Sequence, residues 1–173
     1  KKDIILVPTL FLIADWFDLV DTPGIDTDKL IRPDPFLQRD VGQIFSEEEK
    51  NAYKEQVLNS FYIALKKGVR IALGSDTVYE PSCEYGVQSL MEFKELVTRG
   101  MSVREAIKAA TETAACACAM QHRVGIIREG LEADLLVLDK NPIASADVLV
   151  EHKNIKQVIL NGKTVVEDGY LKW

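Results

Sequence analysis

Histidine is scarce in this sequence, and the two present, His122 and His152, lack the H-x-H or H-x-x-x-H spacing that brings two imidazoles onto one ion. Both read as surface residues. Cysteine is also sparse: three in 173 residues. An odd count with no regular spacing excludes the disulfide framework of a small secreted domain and suits a reducing cytoplasm. Cys116 and Cys118 fall in an Ala-rich helical stretch, where a two-residue step turns the thiols about 200° apart, so small-residue packing is expected of them rather than a shared metal. There is no basic stripe. Lysine and arginine are scattered, the net charge is -6, and no nucleic-acid partner is expected. Nor is there an apolar run long enough to span a bilayer. Lys1 and Lys2 precede the apolar residues 4–14 in the manner of an export signal, but Pro8 and Thr9 interrupt the run, Asp15 and Asp18 follow, and no small-x-small cleavage site appears. No membrane partner is expected. Repeats and low-complexity tracts are missing, and so is an initiating Met. The opening residues already read as a core strand, so the chain is expected to be a piece of something longer. What remains is a 47% hydrophobic chain of ordinary charge content, enough for one substantial core.

Residues 4–12 are apolar without alternation, the pattern of a parallel strand covered on both faces. Residues 15–45 are irregular, with Pro23, Gly24, Pro33, Pro35 and Gly42, and are read as a long loop that is either a lid or a mobile insertion. Ser46 and Glu49 form a capping box that starts a helix. Val57, Leu58, Phe61 and Leu65 recur at helical spacing, and Gly68 stops the helix before a second strand, residues 69–73. The result is strand, helix, strand. A helix over 87–98 stopped by Gly100 follows. Another, capped by Ser102 and Glu105, runs to about Met120 with Val103, Ala106, Ile107, Ala110 and Ala114 on its apolar face. Beyond Gly125 the period becomes that of strands: residues 134–138, then a hairpin over 158–166 turning at Asn161-Gly162, a pair that favours a type I′ turn.

Chemistry points to Gly74-Ser75-Asp76-Thr77. It lies at the C-terminal end of the second strand, where strand-to-helix loops of α/β barrels carry catalytic groups. Asp76 there is a candidate metal ligand or general base, or else a loop cap.

Taken together, several segments resemble the amidohydrolase superfamily, within it the imidazolonepropionase-like and Xaa-Pro dipeptidase-like group. They are Val7-Pro8-Thr9-Leu10, then Gly68 to Asp76 reading GVRIALGSD, and Gly100 to Ala115 reading GMSVREAIKAATETAA. The tail adds Arg123-Val124-Gly125, Gly130 to Asp139 reading GLEADLLVLD, Asn141-Pro142 and the hairpin. The resemblance implies an α/β fold. Residues 1–121 would hold the last two strand-helix units of a (β/α)8 TIM barrel and a following helix, and residues 122–173 part of a small β-sandwich domain. It implies a hydrolase of C–N bonds in amides, peptides or cyclic amides that uses metal-activated water. Asp76 would be both the catalytic carboxylate and a metal ligand. The cofactor implied is a divalent metal, zinc before others, as one or two ions in the complete enzyme. The family's other ligands, an H-x-H pair, a carboxylated lysine and two further histidines, have no counterpart here, so this chain alone is expected to bind no metal and to be inactive. Its partners would be the small amide substrate and either the missing N-terminal barrel segment or another copy of the chain. Tyr85 in Cys83-Glu84-Tyr85-Gly86 replaces a histidine common in dipeptidase-like members, so substrate preference is not implied. Asp134 matches a structural position, and Arg123 is expected to pair with a carboxylate or cap a helix. Two rival readings stand beside this one: a non-catalytic or degenerate homologue acting as a scaffold half, and a self-standing α/β domain with a small-molecule site in the 15–45 loop.

Overall fold

The computed structural model describes residues 4–11, 46–76 and 86–172. The loop read over 15–45, Thr77, and the Cys83-Glu84-Tyr85 segment lie outside the described residues. In chain order come β1 (Ile5–Leu6), α1 (Glu47–Lys66), β2 (Arg70–Ile71), α2 (Val87–Thr98), α3 (Val103–Lys108), a π-helical turn (Ala109–Thr113) and α4 (Ala114–Ala117). They are followed by β3 (Leu135–Leu138), α5 (Asp147–Val150), β4 (Ile155–Leu160), β5 (Lys163–Glu167) and β6 (Tyr170–Leu171), with two short 3-10 turns around α5.

Local chemistry sets the helix ends. At α1 the Ser46 hydroxyl accepts the Glu49 N–H at 3.2 Å, and the Glu49 carboxylate accepts the Ser46 N–H at 2.7 Å. Three glutamates in the first turn face the positive end of the helix dipole. Ser102 and Glu105 repeat this arrangement at α3. The Glu49 and Glu105 carboxyls are held below the usual range chiefly by their hydrogen bonds to these two serines. At the C-terminal ends of α1 and α2, Gly68 and Gly100 adopt positive φ. Val69 N–H reaches Ala64 O and Met101 N–H reaches Leu96 O, closing Schellman motifs.

The same motif ends α4 on an alanine: Ala119 sits at φ 56°, and Met120 N–H bonds Ala115 O at 2.7 Å. A left-handed Cβ costs about 1–2 kcal/mol, more than the roughly 0.4–1 kcal/mol of unfolded-state entropy that alanine saves over glycine. Ala119→Gly is therefore expected to raise stability by up to about 1 kcal/mol, seen as a higher denaturant midpoint at unchanged slope. A lower midpoint would refute the strain argument.

β1 and β2 pair in parallel, Ile5 with Arg70 and Leu6 with Ile71, and Ala72 N–H extends the pairing to Leu6 O. This is the expected strand-helix-strand unit with shorter strands. Leu73 N–H, which faces away from β1, bonds the Ala109 carbonyl at 3.0 Å. Of the strand expected over 4–12, β1 holds two residues among the described 4–11, and Ile4 and Val7 are 63% and 44% exposed. Among the described residues β1 has β2 as its one partner.

The core gathers Leu10, Phe61, Ile71, Phe93, Leu96, Met101, Ala106 and Ala109, with Ala146 closing it from the C-terminal side. The helix after Ser102 differs from the expected one. It widens into a π turn at 109–113, and Ala109 and Thr113 are buried while Ala110 is exposed. The carbonyl that Ala109 lends to Leu73 draws that side of the helix onto the end of β2, a typical use of a π turn. Past α4, Arg123 pairs with Glu132 at 2.7 Å, as expected, and Glu132 N–H closes the loop onto Arg123 O. Cys118 is exposed at the α4 C-cap rather than packed.

β3, β4, β5 and β6 form an antiparallel sheet in that order. Asn161 and Gly162 both take positive φ, 48° and 76°, matching the type I′ requirement. Asp134 has the structural role anticipated for it, its carboxylate accepting the Asn161 N–H at 2.7 Å. Leu136, Val137, Leu160, Tyr170 and Leu171 are exposed. Among the described residues no helix is long and apolar enough to cross a membrane.

Candidate functional site

The two parallel strands finish side by side, and each is followed by a residue in the left-handed region: Thr9 at φ 47° and Asp76 at φ 46°. A β-branched threonine there is a clear outlier, and an aspartate tolerates the conformation better. Such strain persists only where the surroundings impose it. The strand ends also lie close together: a Cβ at Gly74 would stand 2.6 Å from Val7 Cγ1, so a larger residue there would have to displace the valine side chain. Asp76 is exposed. Its carboxylate is therefore open to whatever approaches the strand ends.

Helix α2 packs behind this edge. Ser89 Oγ donates to Ser75 Oγ at 3.2 Å, adjoining Asp76 in sequence. One turn further along, the Glu92 carboxylate accepts the Phe11 N–H at 2.6 Å, two residues past Thr9. Glu92 is wholly buried, and its Oε1 and the Oε1 of the neighbouring buried Gln88 have no hydrogen-bond partner among the described residues. Loss of solvation pushes the Glu92 carboxyl above the usual range, opposed by the Phe11 and Leu10 backbone N–H groups, while the nearby Glu95 charge adds to the rise. With a raised folded-state pKa, this group favours the fold at low pH, and that contribution fades as pH rises through the raised value.

The reading from sequence placed Asp76 at a strand end but missed Glu92 and Ser89. A signal existed: Gln88, Glu92 and Leu96 share one helix face at i, i+4 spacing, so the glutamate lies in line with a core leucine. His122 and His152 are exposed and far from this edge in sequence, Cys116 is half-buried, and no group of three or more His, Cys, Asp or Glu side chains converges among the described residues. Asp76 is thus not part of any such group among the described side chains.

Comparison with known proteins bears on the family of the chain. Residues 43–165 match the model of the Amidohydrolase family. Ochratoxinase from Aspergillus niger is 36% identical over 124 residues, covering 70% of this chain and 25% of that protein. The crystal structure of A. niger ochratoxinase superposes with a TM-score of 0.71 at 28% identity, covering 96% of this chain and 32% of the other. Imidazolonepropionase from Thermoanaerobacter pseudethanolicus is 32% identical over 94 residues, 54% of this chain and 22% of the relative. A Xaa-Pro dipeptidase crystallised with methionine in its active site gives a TM-score of 0.65 at 26% identity, covering 94% of this chain and 34% of that one. The chain spans about a quarter of the length of the curated relatives it matches. The match runs through α1, β2, Asp76, the capped helices and the Asn161-Gly162 hairpin, and on that ground this chain belongs to the amidohydrolase family.

Proposed function

We propose that the chain forms the C-terminal part of a metal-dependent hydrolase of C–N bonds, acting on an amide, dipeptide or cyclic amide. In this reading residues 1–121 close a (β/α)8 barrel, and residues 122–173 supply one side of a composite β-sheet domain. The observation that carries it is Asp76: an exposed carboxylate, held in a strained backbone at the end of a parallel strand, inside the segment matched to the family. The exposed Ile4 and Val7 that flank β1, and the exposed apolar residues of the four-stranded sheet, are further support, since large exposed apolar side chains that cluster are ordinarily covered.

A divalent cation, zinc before others, would when bound acidify a water and polarise the scissile carbonyl. Asp76 would be one of its ligands, and the rest would come from outside this chain. Asp76 then takes the proton from the attacking water and hands it to the leaving nitrogen, which departs as an amine. Being open to solvent and acceptor-only when ionised, it suits that transfer. Ser75 is tethered by Ser89 and holds the backbone beside it.

The complete protein, loaded with zinc, is expected to release amine from dipeptide or cyclic amide substrates. The measurement is a substrate-panel assay with metal content determined alongside. Full metal loading with no turnover across the panel would abandon this reading in favour of a scaffold role.

A further inference from the structure

Helix α2 touches both strand ends through one polar face. Ser89 and Glu92 stand three residues apart, the spacing that stacks side chains on one side of a helix. Ser89 Oγ bonds Ser75 Oγ at 3.2 Å, next to the strained Asp76, and Glu92 Oε2 accepts the Phe11 N–H at 2.6 Å, just past the strained Thr9. Glu92 has no exposed surface, and its second oxygen has no hydrogen-bond partner among the described residues. For stability alone this is a poor choice, because burying a carboxylate with an unmet acceptor is costly and an apolar residue of similar size often serves better. Its Oε2 does, however, give the Phe11 N–H an acceptor that an apolar side chain would lack.

We propose that Glu92, assisted by Ser89, is a positioning residue: α2 acts as a jig that fixes the β1 end relative to the β2 end, and so sets where Asp76 stands against the groups that follow β1. This inference rests on the hydrolase reading for its link to catalysis, but the clamp itself is a property of the fold. Displacing a reacting group by about 1 Å costs on the order of a hundredfold in rate, so a loosened strand end should be felt in kcat rather than in substrate binding.

Two variants of the complete protein test it. Glu92→Leu removes the acceptor at near-constant volume, and Glu92→Gln keeps an oxygen available to the Phe11 N–H. Amide hydrogen exchange of the peptide covering residues 4–11 is expected to speed up in Glu92→Leu and to be largely restored in Glu92→Gln. In the metal-loaded enzyme, kcat per folded molecule is expected to fall about tenfold to a hundredfold in Glu92→Leu with KM little changed, with recovery in Glu92→Gln. Unchanged exchange over residues 4–11 in Glu92→Leu would overturn the clamp whether or not the wild type turns over any substrate. Faster exchange at wild-type kcat would overturn its positioning role and leave a purely structural one. A wild type that hydrolyses no amide would sink the hydrolase reading alone, because the exchange comparison still decides the clamp.

Discussion

Asp76→Asn in the complete protein is expected to lower kcat by roughly a hundredfold to ten-thousandfold, the usual cost of losing a general base, with no measurable change in thermal stability. The substitution keeps the shape of the side chain and removes its charge and basicity. Asp76 is exposed, so the fold does not depend on burying it. Asparagine also tolerates the left-handed backbone recorded at this position, so strain cannot account for a loss. Ser75→Ala should do much less, since a hydroxyl takes no proton from water near neutral pH, and His122→Ala should be close to neutral. Turnover is measured at matched metal occupancy, because a drop that merely follows lost metal would assign Asp76 to binding alone. Near-normal turnover at normal occupancy would return Asp76 to the role of a loop cap.

The largest stability effect is expected at Gly125. This glycine lies at φ 105°, and a Cβ there would stand 2.6 Å from Ala115 Cβ, 3.1 Å from the Thr111 carbonyl oxygen and 3.3 Å from Glu112 Cα. Two of these three contacts are backbone atoms of the π turn and cannot rotate away. Gly125→Ala therefore combines about 1–3 kcal/mol of backbone strain with about 1–3 kcal/mol of overpacking, a large share of the roughly 5–15 kcal/mol that holds a typical domain folded. Denaturant titration measures it. A loss below about 1 kcal/mol would mean that the loop yields and that its contact with the helix is loose. Arg123→Ala, in the same loop, is a useful contrast. Its ion pair with Glu132 is half-exposed, and such solvent-screened pairs contribute little to stability.

The parts of the fold that were legible beforehand are those whose cause lies within a few residues. Ser46 with Glu49, Ser102 with Glu105, Gly68, Gly100 and Asn161-Gly162 each answer a local need of the backbone, and the structure places all of them where that need arises. What was not legible depends on partners far along the chain. The π turn coincides with a bond from Leu73 N–H to the Ala109 carbonyl, and nothing between 103 and 120 announces that contact. Glu92 reads as one more polar helical residue until Phe11 is seen above it. Ala119 carries no glycine to advertise its left-handed backbone. At the site, the identity of Asp76 followed from its place at a strand end, whereas its strain and the tethers behind it required coordinates.

The hairpin at Asn161 also governs how the molecule ages. An asparagine followed by glycine is the pair most prone to deamidate, because the glycine amide nitrogen can attack the side-chain carbonyl and close a succinimide ring. Here that nitrogen donates its hydrogen to the Ala133 carbonyl at 3.0 Å, and the Asn161 N–H is held by Asp134. With its hydrogen held by the Ala133 carbonyl, the Gly162 nitrogen is less ready to lose its proton, as ring closure requires. Fraying of the link between residues 133–134 and the turn releases it. Conversion of Asn161 to aspartate or isoaspartate then accumulates with the time the chain spends open, so the side chain at position 161 becomes a chemical record of how often this edge of the sheet has come apart.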